Sequence, residues 1–128
     1  MTFALSRLND PEYFAQNRLP AHSDHRWFRN VDELAIDDSG YEQSLNGVWK
    51  FHYARNQHDV VDGFEQPDAK TDHWDDIPVP GHIQLQGYDR PHYANVQYPW
   101  DGHEQIEPGE IPTRYNPVAS YVRRFTLD

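Results

Sequence analysis

Seven of the chain's ten prolines fall between Pro78 and Pro117. Proline lacks a backbone N–H and holds φ fixed, so it breaks helix interiors and interrupts central strands. The stretch must therefore be ordered loop, short edge strand or disordered linker. Its aromatics Tyr88, Tyr93, Tyr98, Trp100 and Tyr115 argue against disorder, which goes with few rings. A proline-rich loop studded with aromatics reads as a binding or docking surface. Within it Ile77-Pro78-Val79-Pro80 is extended, because each proline pushes the preceding residue out of the helical region.

Outside that stretch, Val48-Trp49-Lys50-Phe51-His52-Tyr53 is the clearest strand. Trp49, Phe51 and Tyr53 alternate with Val48, Lys50 and His52, which predicts a sheet with one buried aromatic face. From Ala119 to Asp128, Tyr121, Arg123, Phe125 and Leu127 alternate with Ser120, Val122, Arg124 and Thr126, a second strand. Asn9-Asp10-Pro11-Glu12 reads as the start of a short helix or turn that Pro20 ends. Residues 21–43 look polar and irregular, with a turn at Asp37-Asp38-Ser39-Gly40. Val60 to Phe64 predicts a short helical turn ended by Gly63, and Asp68 to Trp74 another with Trp74 inward. Two strands do not make a stable sheet. Further strands must be hidden in the irregular parts, or the polypeptide continues beyond this chain.

The 128 residues suffice for one domain and not two. Asp and Glu number 21 against 11 Lys and Arg, a formal charge of −10. Nucleic-acid binding relies on a basic footprint, and Arg123-Arg124 is the only adjacent basic pair, so nucleic acid and anionic membrane surfaces are excluded as partners. A neutral partner such as a sugar meets no such repulsion. With no cysteine, disulfides, thiolate metal sites and cysteine nucleophiles are ruled out. No apolar run approaches the length of a membrane helix, and the start carries no secretory h-region, which sets a cytoplasmic expectation.

Candidate chemistry is sparse. His22-Ser23-Asp24-His25 has no recognised metal-ligand spacing and reads as a solvated loop. Glu104, Glu107 and Glu110 invite a carboxylate-pair reading, but nothing apolar nearby would raise a pKa, so a solvated acidic loop is expected. The informative run is Tyr93-Ala94-Asn95-Val96-Gln97-Tyr98-Pro99-Trp100. Sugar hydroxyls are met by side-chain amides, here Asn95 and Gln97. Sugar C–H faces are met by rings, here Tyr93, Tyr98 and Trp100. Composition alone leaves open an aromatic packing cluster in which Asn95 serves the turn backbone.

Four motifs in order narrow the choice. Asn17-Arg18-Leu19-Pro20-Ala21-His22, Ser44-Leu45-Asn46-Gly47-Val48-Trp49-Lys50-Phe51, Ile77 to Tyr88 with Pro91 to Trp100, and Asn116-Pro117 with Tyr121 to Phe125 together resemble the amino-terminal sugar-binding domain of glycoside hydrolase family 2, most of all that of the large β-galactosidases. The chain departs from many members at Gly81-His82-Ile83, where they carry Ser-Asn-Trp. The resemblance implies an all-β, jelly-roll-like β-sandwich, here incomplete, with long ordered loops and a short amino-terminal helix. Residues 1–43 would be an amino-terminal extension, and residues 44–128 the first part of the sandwich.

By the same resemblance the parent hydrolyses terminal non-reducing β-D-galactose, as in lactose, with retention through a covalent intermediate. Asn95, with Val96 beside it, would touch galactose. The catalytic carboxylates and metal ligands would lie on a barrel beyond Asp128, so no catalytic residue and no metal ligand is assigned to this chain. Mg²⁺, often with Na⁺, would serve the full-length enzyme, a homo-oligomer. The chain alone would be an inactive amino-terminal fragment, with the enzyme's remaining domains as its partners. A stand-alone carbohydrate-binding module is the alternative. An interaction segment that docks onto a partner lacking it is a third reading.

Overall fold

A computed structural model describes residues 4–91 and 95–127. Among the described residues three strands form one antiparallel sheet in the order β2-β1-β3. β1 is Gly47–Ala54, β2 is Asp75–Val79 and β3 is Val118–Val122. The strand missing from the sequence reading is thus β2, hidden in the extended stretch around Pro78. Pro78 pairs with Val48, and it is tolerated because β2 is an edge strand, where a ladder N–H can be spared.

The expected aromatic face is present. Phe51 is 1% exposed, and its ring meets Tyr121 at 4.9 Å and Tyr88 at 4.6 Å. Trp49 meets Tyr121 edge-on at 6.4 Å, and its register partner Ile77 is buried. The opposite face is covered by Trp74, which turns inward as expected and lies 5.2 Å from His52 and 5.8 Å from Phe64. Ser120, the register partner of His52 on this face, is buried too.

β3 is shorter than the alternation predicts. It stops at Val122, because the next two side chains are committed to backbone carbonyls instead of continuing the pattern. Arg123 donates to the carbonyls of Leu45 and Asn46, both at 2.6 Å. Arg124 donates to the Ala69 carbonyl at 2.5 Å and to the Thr71 hydroxyl at 3.1 Å. The one adjacent basic pair is therefore structural. Asp128, the last residue of the expected strand, lies outside the described residues.

The helices also differ from expectation. The amino-terminal helical piece is a 3-10 turn at Leu5–Asn9, ahead of the expected start. At the expected place Asp10 closes a local turn, accepting from the Glu12 N–H at 3.0 Å while its carbonyl accepts from Tyr13 at 3.1 Å. That local satisfaction competes with helix propagation. The short helix α1, Val31–Ile36, lies in the stretch read as irregular. Asn30 caps it by accepting from the Glu33 N–H at 2.9 Å, and the Glu33 carboxylate reaches back to the Arg29 N–H at 2.9 Å. The Asn-x-x-Glu spacing of a capping box was the overlooked signal. The short helical turn expected at Val60 to Phe64 is a non-helical turn at residues 62–65, and a 3-10 turn stands ahead of it at Gln57–Asp59.

The chain exposes 10733 Å², against about 7,100 Å² for a compact monomer of its mass. Phe14, Leu19 and Trp27 are largely exposed. Three strands give too little surface to cover these side chains.

Candidate functional site

Tyr115 organises the proline-rich stretch. It lies just ahead of β3 and is fixed to the sheet by its neighbour, since the Asn116 N–H donates to the Arg55 carbonyl at 3.0 Å. The Tyr115 hydroxyl donates to the Asp89 carboxylate at 2.6 Å. Asp89 sits at φ 57°, in the left-handed region that Asp and Asn enter most readily after Gly. The Tyr115 ring stacks on His103, with centroids 3.7 Å apart. The Tyr88 hydroxyl donates to Asp75 at 2.8 Å, joining the start of the stretch to β2.

Glu104 makes the second fastening. Its carboxylate accepts from the N–H groups of Thr113, Arg114 and Tyr115 at 3.1, 2.7 and 3.2 Å, and from the Thr113 hydroxyl at 3.2 Å. These bonds hold the carboxyl of Glu104 below its usual range, the Thr113 N–H contributing most. Glu104 is thus no idle solvated carboxylate, as the sequence suggested, but the clasp of the loop from His103 to Tyr115. The signal that could have revealed it is the absence of any regular partner for the backbone N–H groups after Pro112.

Asn95 and Val96 form a turn on this fastened segment, and both side chains are exposed. Tyr93, the first ring of the expected sugar-binding run, lies outside the described residues. Tyr98 and Trp100 stack nearly parallel, 5.0 Å apart with planes within 5°. The turn is closed by Asp101, whose carboxylate accepts from the Tyr98 N–H at 2.9 Å. Beside the stacked pair runs an open groove of about 610 Å³, rimmed by Glu104, Gln105, Glu107 and Glu110. Asn95 is not among its lining residues; Gln97 lines a separate hollow of about 320 Å³ with His103 and Asp101.

A general acid needs a carboxyl raised toward neutrality. The carboxyls that the fold moves, those of Glu33, Glu42, Glu65 and Glu104, all move down, because each accepts hydrogen bonds in its ionised form. The phenols of Tyr53, Tyr88 and Tyr115 all move up, chiefly through loss of water, and next through the charge of Asp89 at Tyr53 and through the hydrogen bonds to Asp75 and Asp89 at Tyr88 and Tyr115. Tyr88 and Tyr115 stay neutral and act as donors.

Among the described residues no three His, Asp or Glu side chains converge to hold a metal ion. His22 contacts Asp24 at 3.4 Å and the Pro20 carbonyl at 2.8 Å. Among the described residues no helix is long and apolar enough to cross a membrane.

Residues 42–128 match the family described as glycosyl hydrolases family 2, sugar binding domain. The chain is similar to a β-galactosidase of Halalkalibacterium halodurans, 51% identical over 96% of the chain. It is similar to β-galactosidases of Priestia megaterium, 49% identical over 92%, and Streptococcus thermophilus, 45% identical over 94%. In each case it spans 12% of the relative's length.

Proposed function

The chain belongs to the sugar-binding domain of the family 2 glycosyl hydrolases, and on that premise we propose that it is a segment of a β-galactosidase that cleaves terminal non-reducing β-D-galactose. The observation that carries this reading is identity of 45 to 51% along nearly the whole chain to three β-galactosidases. The segment supplies galactose-pocket wall, not chemistry. Asn95 hydrogen-bonds galactose hydroxyls, with Val96 packed beside it. The stacked Tyr98 and Trp100 offer an apolar face nearby.

The carboxylate pair of the retaining reaction, and the Mg²⁺ and Na⁺ sites, belong to the remaining domains of a homo-oligomeric enzyme in the cytoplasm. The exposed apolar surface supports that arrangement over a stand-alone carbohydrate-binding module. The three-stranded sheet is then part of a larger jelly-roll-like sandwich.

The test is a complete enzyme made by replacing the matched segment of the Halalkalibacterium halodurans β-galactosidase with this chain. It is expected to hydrolyse a chromogenic β-galactoside, and Asn95→Ala to lower kcat/KM. The 128-residue chain alone is expected to show no turnover. Activity that survives purification of the isolated chain overturns the reading.

A further inference from the structure

The geometry points to Tyr115 as the positioning residue for Asn95, acting through Asp89 before it in the chain and Glu104 after it. This inference rests on the galactose reading of Asn95 and adds to it the device that holds that amide in place.

Asn95 is carried between Asp89 and Glu104, and both are tied to the same place. Asp89 accepts the Tyr115 hydroxyl at 2.6 Å. Glu104 accepts the Tyr115 N–H at 3.2 Å and the two N–H groups before it. His103, next to Glu104, stacks on the Tyr115 ring at 3.7 Å. Both ends of the Asn95 segment therefore meet at one residue, and Asn116 binds that residue to the end of β1 through the Arg55 carbonyl.

A loop closed at both ends on a rigid sheet loses much of its freedom before ligand arrives, so less ordering is left for binding. The Glu104 bonds are charge-assisted, the stronger kind, as its lowered carboxyl accepts in the ionised form. None of the three residues needs to touch sugar. Their effect passes through the placement of the Asn95 amide.

A double-mutant cycle in the complete chimeric enzyme separates this role from general support of the fold. Tyr115→Phe keeps the ring stacked on His103 and deletes the hydroxyl's bonds to Asp89 and to Tyr53. It is expected to lower kcat/KM about ten-fold, below the ~100-fold that an ångström of misplacement can cost. In an Asn95→Ala background the same change is expected to cost nothing further, because the amide it positions is gone. Glu104→Gln, which keeps the side chain's shape, supplies the same cycle should Tyr115→Phe fail to fold.

Losses that multiply independently of Asn95 overturn the positioning role. So does an effect of Asn95→Ala with none from Tyr115→Phe or Glu104→Gln, and that result leaves the galactose reading standing. An Asn95→Ala enzyme with unchanged kcat/KM removes the galactose reading and the positioning role together.

Discussion

Tyr115 and Asp89 are 26 positions apart, yet the phenol of one donates a 2.6 Å hydrogen bond to the carboxylate of the other. The bond turns a proline-rich stretch with little regular structure into a closed loop standing on the sheet. Proline removes the backbone donors that would tie such a stretch into a ladder, so side chains fasten it instead.

Substitution of Asn95 tests the binding role directly. In the complete enzyme Asn95→Ala is expected to weaken transition-state binding by about 1–3 kcal/mol, the cost of leaving buried sugar hydroxyls unpaired. Steady-state kinetics with a chromogenic β-galactoside give the number. An unchanged kcat/KM would assign Asn95 to the turn alone.

Acid should loosen the Glu104 clasp. Its folded pKa lies below the unfolded value, first because of the Thr113 N–H. The stability it contributes is therefore complete above the unfolded value of about 4.3 and is lost as pH falls through the lowered folded value. Hydrogen exchange is expected to show protection of the Thr113, Arg114 and Tyr115 amides falling in that acid window. Glu104→Gln should abolish the pH dependence. Protection that persists unchanged through strong acid contradicts a charge-held clasp.

Gly47 begins β1 at φ +136°, and a Cβ added there would lie 2.9 Å from Arg123 Nη1. Gly47→Ala combines backbone strain with displacement of the arginine that caps Leu45 and Asn46. A loss of about 1–3 kcal/mol is expected, visible as a lower urea midpoint. A midpoint equal to wild type refutes the strain.

Ser120 is buried, and among the described residues its hydroxyl has no hydrogen-bond partner. Its register partner His52 likewise leaves Nδ1 unpaired. Ser120→Ala removes a desolvated hydroxyl and should raise stability by about 1 kcal/mol. Thermal unfolding decides it, and a drop in Tm means that the hydroxyl is bonded in solution.

Much of the sheet was legible from local pattern. The alternation of Trp49, Phe51 and Tyr53 set the aromatic face of β1, and Tyr121 joined it on β3 as its own alternation required. α1 is hard to read although Asn30 and Glu33 stand at capping-box spacing, because its six residues are too few for the helical spacing of Val31, Leu34 and Ala35 to stand out as a period. The family was likewise readable, since its motifs are runs of neighbouring residues.

The amino-acid sequence by itself determined β1, the inward turn of Trp74, the exclusion of long helices from the proline-rich stretch, and the motif around Asn95. These rest on alternation, ring chemistry and proline's missing N–H, all properties of residues close together in the chain. Only the tertiary structure decided that Pro78 lies in a paired edge strand, that Arg123 and Arg124 end β3 on carbonyls, and that Asp89 and Glu104 both close on Tyr115. Those outcomes depend on which distant groups meet once the strands are in register, and a carboxylate's partners 11 or 26 positions away leave no mark on its own neighbours in sequence.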